Sequence, residues 1–264
     1  TINIGKGEVI PETLPGHKWG KIIHNHDAQW LAAWKDTING KMKYLWLGDT
    51  SDLKAQSTKE KFDLARKLKR KIKTIRTKNE IELKSNVLFM RQVATALYFI
   101  DRFALRVGNE KGENEADTVG CTSLRVEHIK FLGDNKIELD FLGKDSVRYK
   151  RKLLVDDQVY SNLEDFTKNK KMDDQLFDKV SANDVNRYLS SFMNGLTAKV
   201  FRTCNASTLF QKELKKISTK YEGYEEDDKI NVLLDEFNKA NAKVAMLCNH
   251  QKNVSKTFNS QLDK

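Results

Sequence analysis

The sequence lacks several features that define particular protein classes. No apolar run reaches about 18 residues, so no transmembrane helix is predicted. The three cysteines, Cys121, Cys204 and Cys248, are far apart and odd in number, which predicts a reducing compartment and no disulfide framework. No CxxC or HExxH occurs, so no strong metal motif is present. The first residues, TINIGKGEVIPE, have the pattern of neither a signal peptide nor a transit peptide.

What the chain does have is an excess of positive charge. Its 264 residues are 39% hydrophobic, enough for a core in roughly one or two domains. Charged residues make up 32%, and 47 Lys and Arg against 37 Asp and Glu give a net charge of +10. That balance favours a polyanionic partner, either nucleic acid or an acidic membrane surface.

The composition changes near residue 52, which predicts a division into segments 1–52 and 53–264. All four tryptophans and both prolines lie in the first segment, which is too short to bury much surface alone. Between residues 61 and 78 lysine and arginine are opposed only by Asp63. Apolar residues recur there at helical spacing, which predicts a basic amphipathic helix. Its charged face fits ordinary solvation and phosphate contact equally well.

Beyond the basic segment, helical and strand patterns alternate. A long helix is predicted from about Lys84 to Leu105, with Gly108 as its cap. An antiparallel meander of three strands follows, at about 123–131, 136–142 and 146–154. The chain is therefore predicted to have an α+β fold, mainly helical with one three-stranded antiparallel sheet.

The last third of the chain is helical again by its pattern. Ser181 is a good N-cap for one helix. Two further helices are predicted at about 197–217 and 228–249. Cys248 falls on the apolar face of the last one and is predicted to be a core residue.

The stretch LDFLGKDSVRYK, residues 139–150, predicts a β-hairpin. Apolar and charged residues alternate on both sides of Gly143-Lys144-Asp145, as in two half-buried strands joined by a short turn. Lys144 is therefore predicted near the hairpin tip. A tip lysine is usually a solvated gatekeeper, but it can also be a proton donor held out toward a large ligand.

Four cationic or potentially cationic residues stand at the ends of predicted elements or close to them: Arg106, Lys144, Arg202 and His250. Each alone is a weak signal, because an arginine at a helix end usually pairs with the macrodipole and a lone histidine there is usually a cap. Together they predict a phosphate clamp. Two guanidiniums can hold phosphate oxygens in bidentate fashion, and an imidazole can donate to another oxygen. A lysine, with a pKa of about 10.4 in model peptides, suits an acid.

Several longer motifs resemble those of eukaryotic type IB DNA topoisomerases: LRVGNEK, ADTVGC, SLRVEHI, DFLGKDSVRY, GLTAKVFRT, NAS, LCNHQ and GHKW. The resemblance covers nearly the whole chain and implies a catalytic domain of the tyrosine-recombinase and type IB topoisomerase kind. It implies a nuclear enzyme that clamps duplex DNA, nicks one strand through a 3′-phosphotyrosine, lets the duplex rotate and reseals it. The guanidiniums supply the positive charge and the phosphotyrosine bond stores the energy, so no metal, ATP or other cofactor is implied.

The resemblance also implies roles for individual residues. The paired arginines of the family match Arg106 and Arg202, its histidine matches His250, and its hairpin lysine matches Lys144, which would protonate the leaving 5′ oxygen. Contacts to DNA are implied for a wider set: Lys43, Lys111, Thr118, Asp145, Lys199 and Gln251. The implied partners are supercoiled duplex DNA and camptothecin-type inhibitors, with no membrane.

The chain departs from the family pattern in its nucleophile, because none of its seven tyrosines lies in an SKxNYxDPR-like context. The tyrosine-bearing domain is expected in cis, on a longer polypeptide of which this chain is a part, or on a second chain, as in the split enzymes of trypanosomatids. Residues 1–52 are then a remnant of the DNA-clamping core lobe, and 53–264 the catalytic core subdomain. Cys204, beside Arg202, stands where the family usually has tyrosine.

Three other interpretations bear on function. Tyrosine recombinases use a similar Arg-Lys-His-Arg constellation, but they share positions rather than these long motifs. The chain alone could also be a non-catalytic module that binds duplex DNA. His24 and His26 would share one face of a strand, yet only Asp27 accompanies them, so a structural role is favoured over a metal site.

Overall fold

The computed structural model describes residues 1–108 and 116–250. The strands are β1 (Ile2–Asn3), β2 (Ile22–Ile23), β3 (Trp30–Lys35), β4 (Met42–Trp46), β5 (Ile129–Gly133), β6 (Lys136–Leu142) and β7 (Arg148–Leu154). The helices are α1 (Asp52–Glu82), α2 (Leu88–Phe103), α3 (Asp157–Thr167), α4 (Ala182–Ser190), α5 (Ala198–Lys220) and α6 (Lys229–Leu247). The chain forms two compact units, Thr1–Asp63 and Leu64–Lys264.

The first unit is built on a four-stranded sheet in the order β2-β1-β3-β4. β1 and β2 are parallel, and the other pairs are antiparallel. The side chain of Asn3 donates to the carbonyl oxygens of Asn25 and Trp30, which ties the sheet to the loop before β3. Within residues 1–63, Ile2 and Ala33 are the only buried apolar residues. This unit therefore depends on its hydrogen-bonded ladder more than on a core of its own.

The second unit is organised around α2. Its residues from Gln92 to Asp101 are all buried, because neighbouring elements cover this helix on every side. The largest side chains of the core, Phe99, Phe177 and Phe201, are fully buried around it. Burying one such side chain contributes about 1.5–3 kcal/mol.

The bounds of α2 correct two details of the sequence prediction. The helix begins at Leu88 rather than near Lys84. It ends because Ala104 adopts the left-handed conformation, with φ of 52°. The predicted cap, Gly108, lies beyond the end of the helix and packs against Gly120 instead.

The predicted three-stranded meander is confirmed, with antiparallel pairing in the order β5-β6-β7. Its first turn uses left-handed backbone at Gly133, Asp134 and Asn135. On β6, Ile137, Leu139 and Phe141 are buried, as their alternation predicts. The first strand starts at Ile129 rather than near residue 123, because 3₁₀ turns occupy 121–123 and 126–128.

The later helices agree with the pattern, with one omission. Ser181 is the predicted N-cap of α4, and its hydroxyl accepts a hydrogen bond from the backbone N–H of Asp184. Cys248 is buried, as predicted. Helix α3, which buries Val159, Leu163 and Phe166, was not predicted. No helix within the described ranges is long and apolar enough to span a bilayer.

Candidate active site

Arg106 is placed by the end of α2 and by two glycines that touch. The carbonyl oxygen of Arg106 accepts a hydrogen bond from the backbone N–H of Cys121 at 2.8 Å. That pairing brings Gly108 against Gly120. A Cβ on Gly120 would lie 2.3 Å from the Cα of Gly108 and 2.9 Å from the carbonyl oxygen of Arg106. Only glycine allows the two segments to approach this closely, so these glycines set the backbone position of Arg106.

Lys144 lies at the tip of the β6–β7 hairpin, as predicted. A 3₁₀ turn spans Lys144–Ser146, and both Asp145 and Ser146 have left-handed backbone. The backbone N–H of Gly143 donates to the carbonyl oxygen of Val147 at 2.9 Å and closes the tip. Lys144 is exposed, and no carboxylate among the described residues lies within 4.0 Å of its ammonium group. It therefore does not form the ion pair with Asp145 that would mark an ordinary tip lysine.

Arg202, on α5, is held by two main-chain carbonyls. Its Nη1 donates to the carbonyl oxygen of Ala104 at 2.5 Å, and its Nη2 donates to that of Cys248 at 3.2 Å. Both acceptors lie at helix C-terminal ends, where carbonyls lack helical partners and attract cations. Burial and the neighbouring charge of Arg106 lower the pKa of Arg202. An arginine remains charged despite such a shift, so the two guanidiniums repel each other unless an anion joins them.

His250 is presented by a Schellman motif at the end of α6. Its backbone N–H donates to the carbonyl oxygen of Ala245 at 2.8 Å, and that of Asn249 donates to Met246 at 3.1 Å. Asn249 takes the left-handed conformation that this motif requires, with φ of 51°. Burial lowers the pKa of the His250 imidazole, and the charges of Arg202 and Arg106 lower it further. Both guanidiniums therefore disfavour the protonated form of the ring.

The end of α6 is anchored to the hairpin as well as to α5. The side chain of Asn249 donates to the carbonyl oxygen of Arg148 at 3.2 Å, and the guanidinium of Arg151 donates to that of Met246. Strand β7 therefore fixes the position of His250. The same strand follows the hairpin tip that carries Lys144, so it connects the two sides of the site.

One pocket brings together all four predicted cations. It is lined by Arg106, Lys144, Arg202 and His250, with Asp145 beside them, and we call it the cation pocket. Its lining combines the end of α2, the hairpin tip, α5 and the end of α6. A site with two guanidiniums, an ammonium and an imidazole fits a group that carries several oxygens and negative charge.

The remaining predicted DNA contacts are dispersed. Lys199 is exposed in the first turn of α5, and Thr118 lies just before Val119, whose N–H donates to the carbonyl oxygen of Leu142. Lys43 is exposed on β4 of the first unit, 3.8 Å from a carboxylate oxygen of Asp36. Two predicted contacts, Lys111 and Gln251, lie outside the described residues.

The sequence did not single out every residue that builds this site. Tyr149 lines the cation pocket, is 3% exposed, and stacks on Phe141 with ring centroids 5.0 Å apart. Alternation predicted its burial but gave no sign of its place in the pocket. Asn249 and Arg151 could have been found only through a left-handed residue after α6 and a cation near its carbonyls.

The His24–His26 pair has a structural setting. The Nδ1 atom of His24 lies 2.7 Å from the carbonyl oxygen of Ile4, within the first unit. In residues 1–108 and 116–250 no three His, Cys, Asp or Glu side chains are grouped so as to hold a metal ion.

A basic chain that gathers two guanidiniums, an ammonium and an imidazole around one pocket has a site suited to an anion with several oxygens, as in phosphate-binding proteins. The family model for the catalytic core of eukaryotic DNA topoisomerase I matches residues 50–264. The model for the DNA binding fragment of the same enzyme matches residues 1–47. The chain belongs to the eukaryotic DNA topoisomerase I family, and the resemblance of its motifs is thereby confirmed.

Individual relatives agree with that assignment. DNA topoisomerase 1 of Schizosaccharomyces pombe is 48% identical over 265 residues, which cover 100% of this chain and 32% of the relative. The Candida albicans protein of the same name is 46% identical and is covered to 33%. That of Homo sapiens is 43% identical over 99% of this chain and 34% of its own length. The chain thus spans about a third of the relatives it matches.

Proposed function

We propose that this chain is the core of a type IB DNA topoisomerase, which relaxes supercoiled duplex DNA by transient cleavage of one strand and religation. The observation that carries the proposal is the convergence of Arg106, Lys144, Arg202 and His250 on one pocket. These residues come from four separate parts of the chain, and ordinary folding gives no reason to place three cations and an imidazole together. A bound phosphodiester offsets their mutual repulsion.

Three of the four cations would act on the non-bridging oxygens of the scissile phosphate. Arg106 and Arg202 offer forked, permanently charged donors, and His250 offers one N–H. Charge on these oxygens grows in the transition state, so donors fixed beforehand stabilise it more than the ground state. A fixed donor of this kind is typically worth about 10²–10³ in rate, or roughly 3–4 kcal/mol, and the single N–H of His250 is expected to contribute less than either charged fork.

Lys144 would be the general acid that protonates the leaving 5′ oxygen. An alkoxide is a poor leaving group, so proton delivery in the transition state matters most at this position. The hairpin supports this role because its tip projects the lysine without pairing it to a carboxylate among the described residues.

The nucleophile would be a tyrosine supplied by a further segment, either in cis or as a second chain. Tyr149 is a poor candidate, although it lines the cation pocket, because burial raises the pKa of its phenol and it is 3% exposed. Attack by the incoming tyrosine would form a 3′-phosphotyrosine and release a 5′ hydroxyl. Religation by the reverse step needs neither ATP nor a metal ion, because the phosphotyrosine bond keeps the energy of the broken phosphodiester and the guanidiniums supply the positive charge.

The wider expectations from the sequence belong to the same proposal. We retain a DNA-clamping remnant in residues 1–52, a catalytic subdomain of the tyrosine-recombinase kind in residues 53–264, and a nuclear location. Camptothecin-type inhibitors remain proposed ligands. The proposed DNA contacts outside the four catalytic residues are Lys43, Lys111, Thr118, Asp145, Lys199 and Gln251.

The direct test is relaxation of a supercoiled plasmid by the full-length protein, with chelator present and ATP absent. Relaxation, together with a protein-linked 3′ end trapped by denaturant, is the expected result. If the full-length protein binds duplex DNA but neither relaxes it nor forms the covalent complex, the chain is a non-catalytic DNA-binding module and the proposal is wrong.

A further inference from the structure

The last turn of α2 is anchored to α5 by two side chains on one face of α5. The carbonyl oxygen of Ala104 accepts from Arg202 at 2.5 Å, and the carbonyl oxygen of Asp101 accepts from the Nδ2 of Asn205 at 2.5 Å. The two donors are three residues apart on α5, and the two acceptors are three residues apart at the end of α2. The two helices therefore contact each other in register along one turn. These carbonyls belong to a helix end, where helical N–H partners are missing. The bonds therefore satisfy groups that burial would otherwise leave costly.

Asp101 is a fixed point for this contact because its side chain is held from the opposite direction. Its carboxylate is 7% exposed and accepts two hydrogen bonds from Arg76 of α1, at 2.7 and 3.0 Å. A forked pair of this kind restricts orientation as well as position. Asp101 is thus tied to α1 through its side chain and to α5 through its main chain.

Arg202 lies one helical turn before Asn205 on α5, so the contact made by Asn205 also affects Arg202. Its guanidinium must satisfy two carbonyls and still face the pocket, which leaves little freedom for α5 to slide along α2. Asn205 is half-buried and does not line the cation pocket, so it has no direct route to a bound phosphate. It can influence the site only by fixing α5 against the end of α2.

We propose that Asn205 is a positioning residue for the transesterification, acting through Arg202 by holding α5 in register with the end of α2. This inference rests on the proposed function. A misplacement of about 1 Å at a catalytic group can cost on the order of 10²-fold in rate. Removing one of several restraints on Arg202 should cost about tenfold.

The test uses the full-length protein and single-turnover cleavage of duplex DNA at saturating concentration. Asn205→Leu keeps the side-chain size but removes the donor. We expect cleavage about tenfold slower, with the DNA dissociation constant unchanged. Asn205→Ala is measured alongside, so that poor folding of the leucine variant does not decide the outcome.

The matched control is Asn162→Leu. Asn162 is a buried amide that donates to the carbonyl oxygen of Leu83 at 2.9 Å, and it is not part of the cation pocket. Its substitution removes a hydrogen bond at a more buried position and should lower the unfolding temperature at least as much as Asn205→Leu. Cleavage well below that temperature should stay within twofold of wild type.

A double-mutant cycle separates positioning from general destabilisation. In an Arg202→Ala background, Asn205→Leu should slow cleavage by less than threefold, because the group that it positions is gone. A full tenfold loss in that background, or near-normal cleavage by the single variants, would overturn the inference. Those outcomes leave the proposed function intact, whereas a wild-type protein that does not cleave overturns both.

Discussion

The exposed cations of α1 and Arg202 of the cation pocket carry the same charge but are held in different ways. On α1, Lys67, Arg70 and Lys73 are exposed and make no ion pair among the described residues. In the pocket, Arg202 is fixed by two carbonyls and His250 is presented by a Schellman motif. Mobile surface charge provides salt-dependent affinity for phosphates. Charge held in a set direction can favour a transition state over a ground state. Equal charges can therefore serve different steps, binding on α1 and the chemical step in the pocket.

Removing a pocket arginine should give the largest effect on rate. In the full-length protein, Arg106→Ala or Arg202→Ala should slow cleavage by about 10²–10³-fold, because each removes a charged donor to the phosphate oxygens. DNA affinity should change far less. Single-turnover cleavage and a binding titration on the same duplex separate the two quantities. If either arginine variant cleaves at a near wild-type rate, that arginine does not stabilise the transition state.

Lys144 should show a large defect that depends on the leaving group. Lys144→Ala should slow cleavage of ordinary DNA by at least about 10²-fold. A substrate with sulfur at the scissile 5′-bridging position needs little protonation, since a thiol has a pKa near 8.5. That substrate should be cut at close to the normal rate by Lys144→Ala, but not by Arg106→Ala. Equal defects of Lys144→Ala on both substrates would leave the lysine as a positioning contact only.

His250 should contribute less to rate and more to pH dependence. His250→Ala should slow cleavage about tenfold, as expected for one hydrogen bond of roughly 1.4 kcal/mol. Burial and the two guanidiniums lower the pKa of this imidazole in the free protein, and a bound phosphate raises it again. Binding should therefore take up a proton slightly below neutral pH. Calorimetry in two buffers of different ionisation enthalpy measures this uptake, which His250→Ala should abolish.

Neutralising α1 should have the smallest effect on rate and a clear effect on binding. The triple variant Lys67→Gln, Arg70→Gln, Lys73→Gln should cleave at an unchanged rate once DNA is saturating. If each residue neutralises one phosphate, the negative slope of log K against log[salt] should become shallower by about 0.9 per residue. An unchanged slope would mean that this face of α1 is only solvated and does not contact phosphates. That alternative fits the sequence equally well.

The sequence predicted those parts of the molecule whose structure depends on residues close together in the chain. Alternation identified the β6–β7 hairpin and the tip position of Lys144, and the N-cap pattern identified Ser181. Gly108 was misread as a cap because its role depends on Gly120, a partner that periodicity cannot reveal. The convergence of the four pocket residues was predicted from the family motifs rather than from their spacing in the sequence. The bonds from Arg202 to Ala104 and Cys248 join elements distant in sequence, so no local pattern announces them.

Arg202→Lys separates charge from geometry in the cation pocket, because it keeps the charge and removes the fork. A lysine cannot reach two carbonyls and a phosphate in one fixed plane. The measurement is single-turnover cleavage by the full-length protein at saturating DNA, with the salt dependence of binding recorded in parallel. We expect cleavage at least about tenfold slower with an unchanged salt slope, because the charge stays but its direction is lost. Wild-type cleavage by Arg202→Lys would contradict it, because charge alone would then suffice in the pocket as it does on α1.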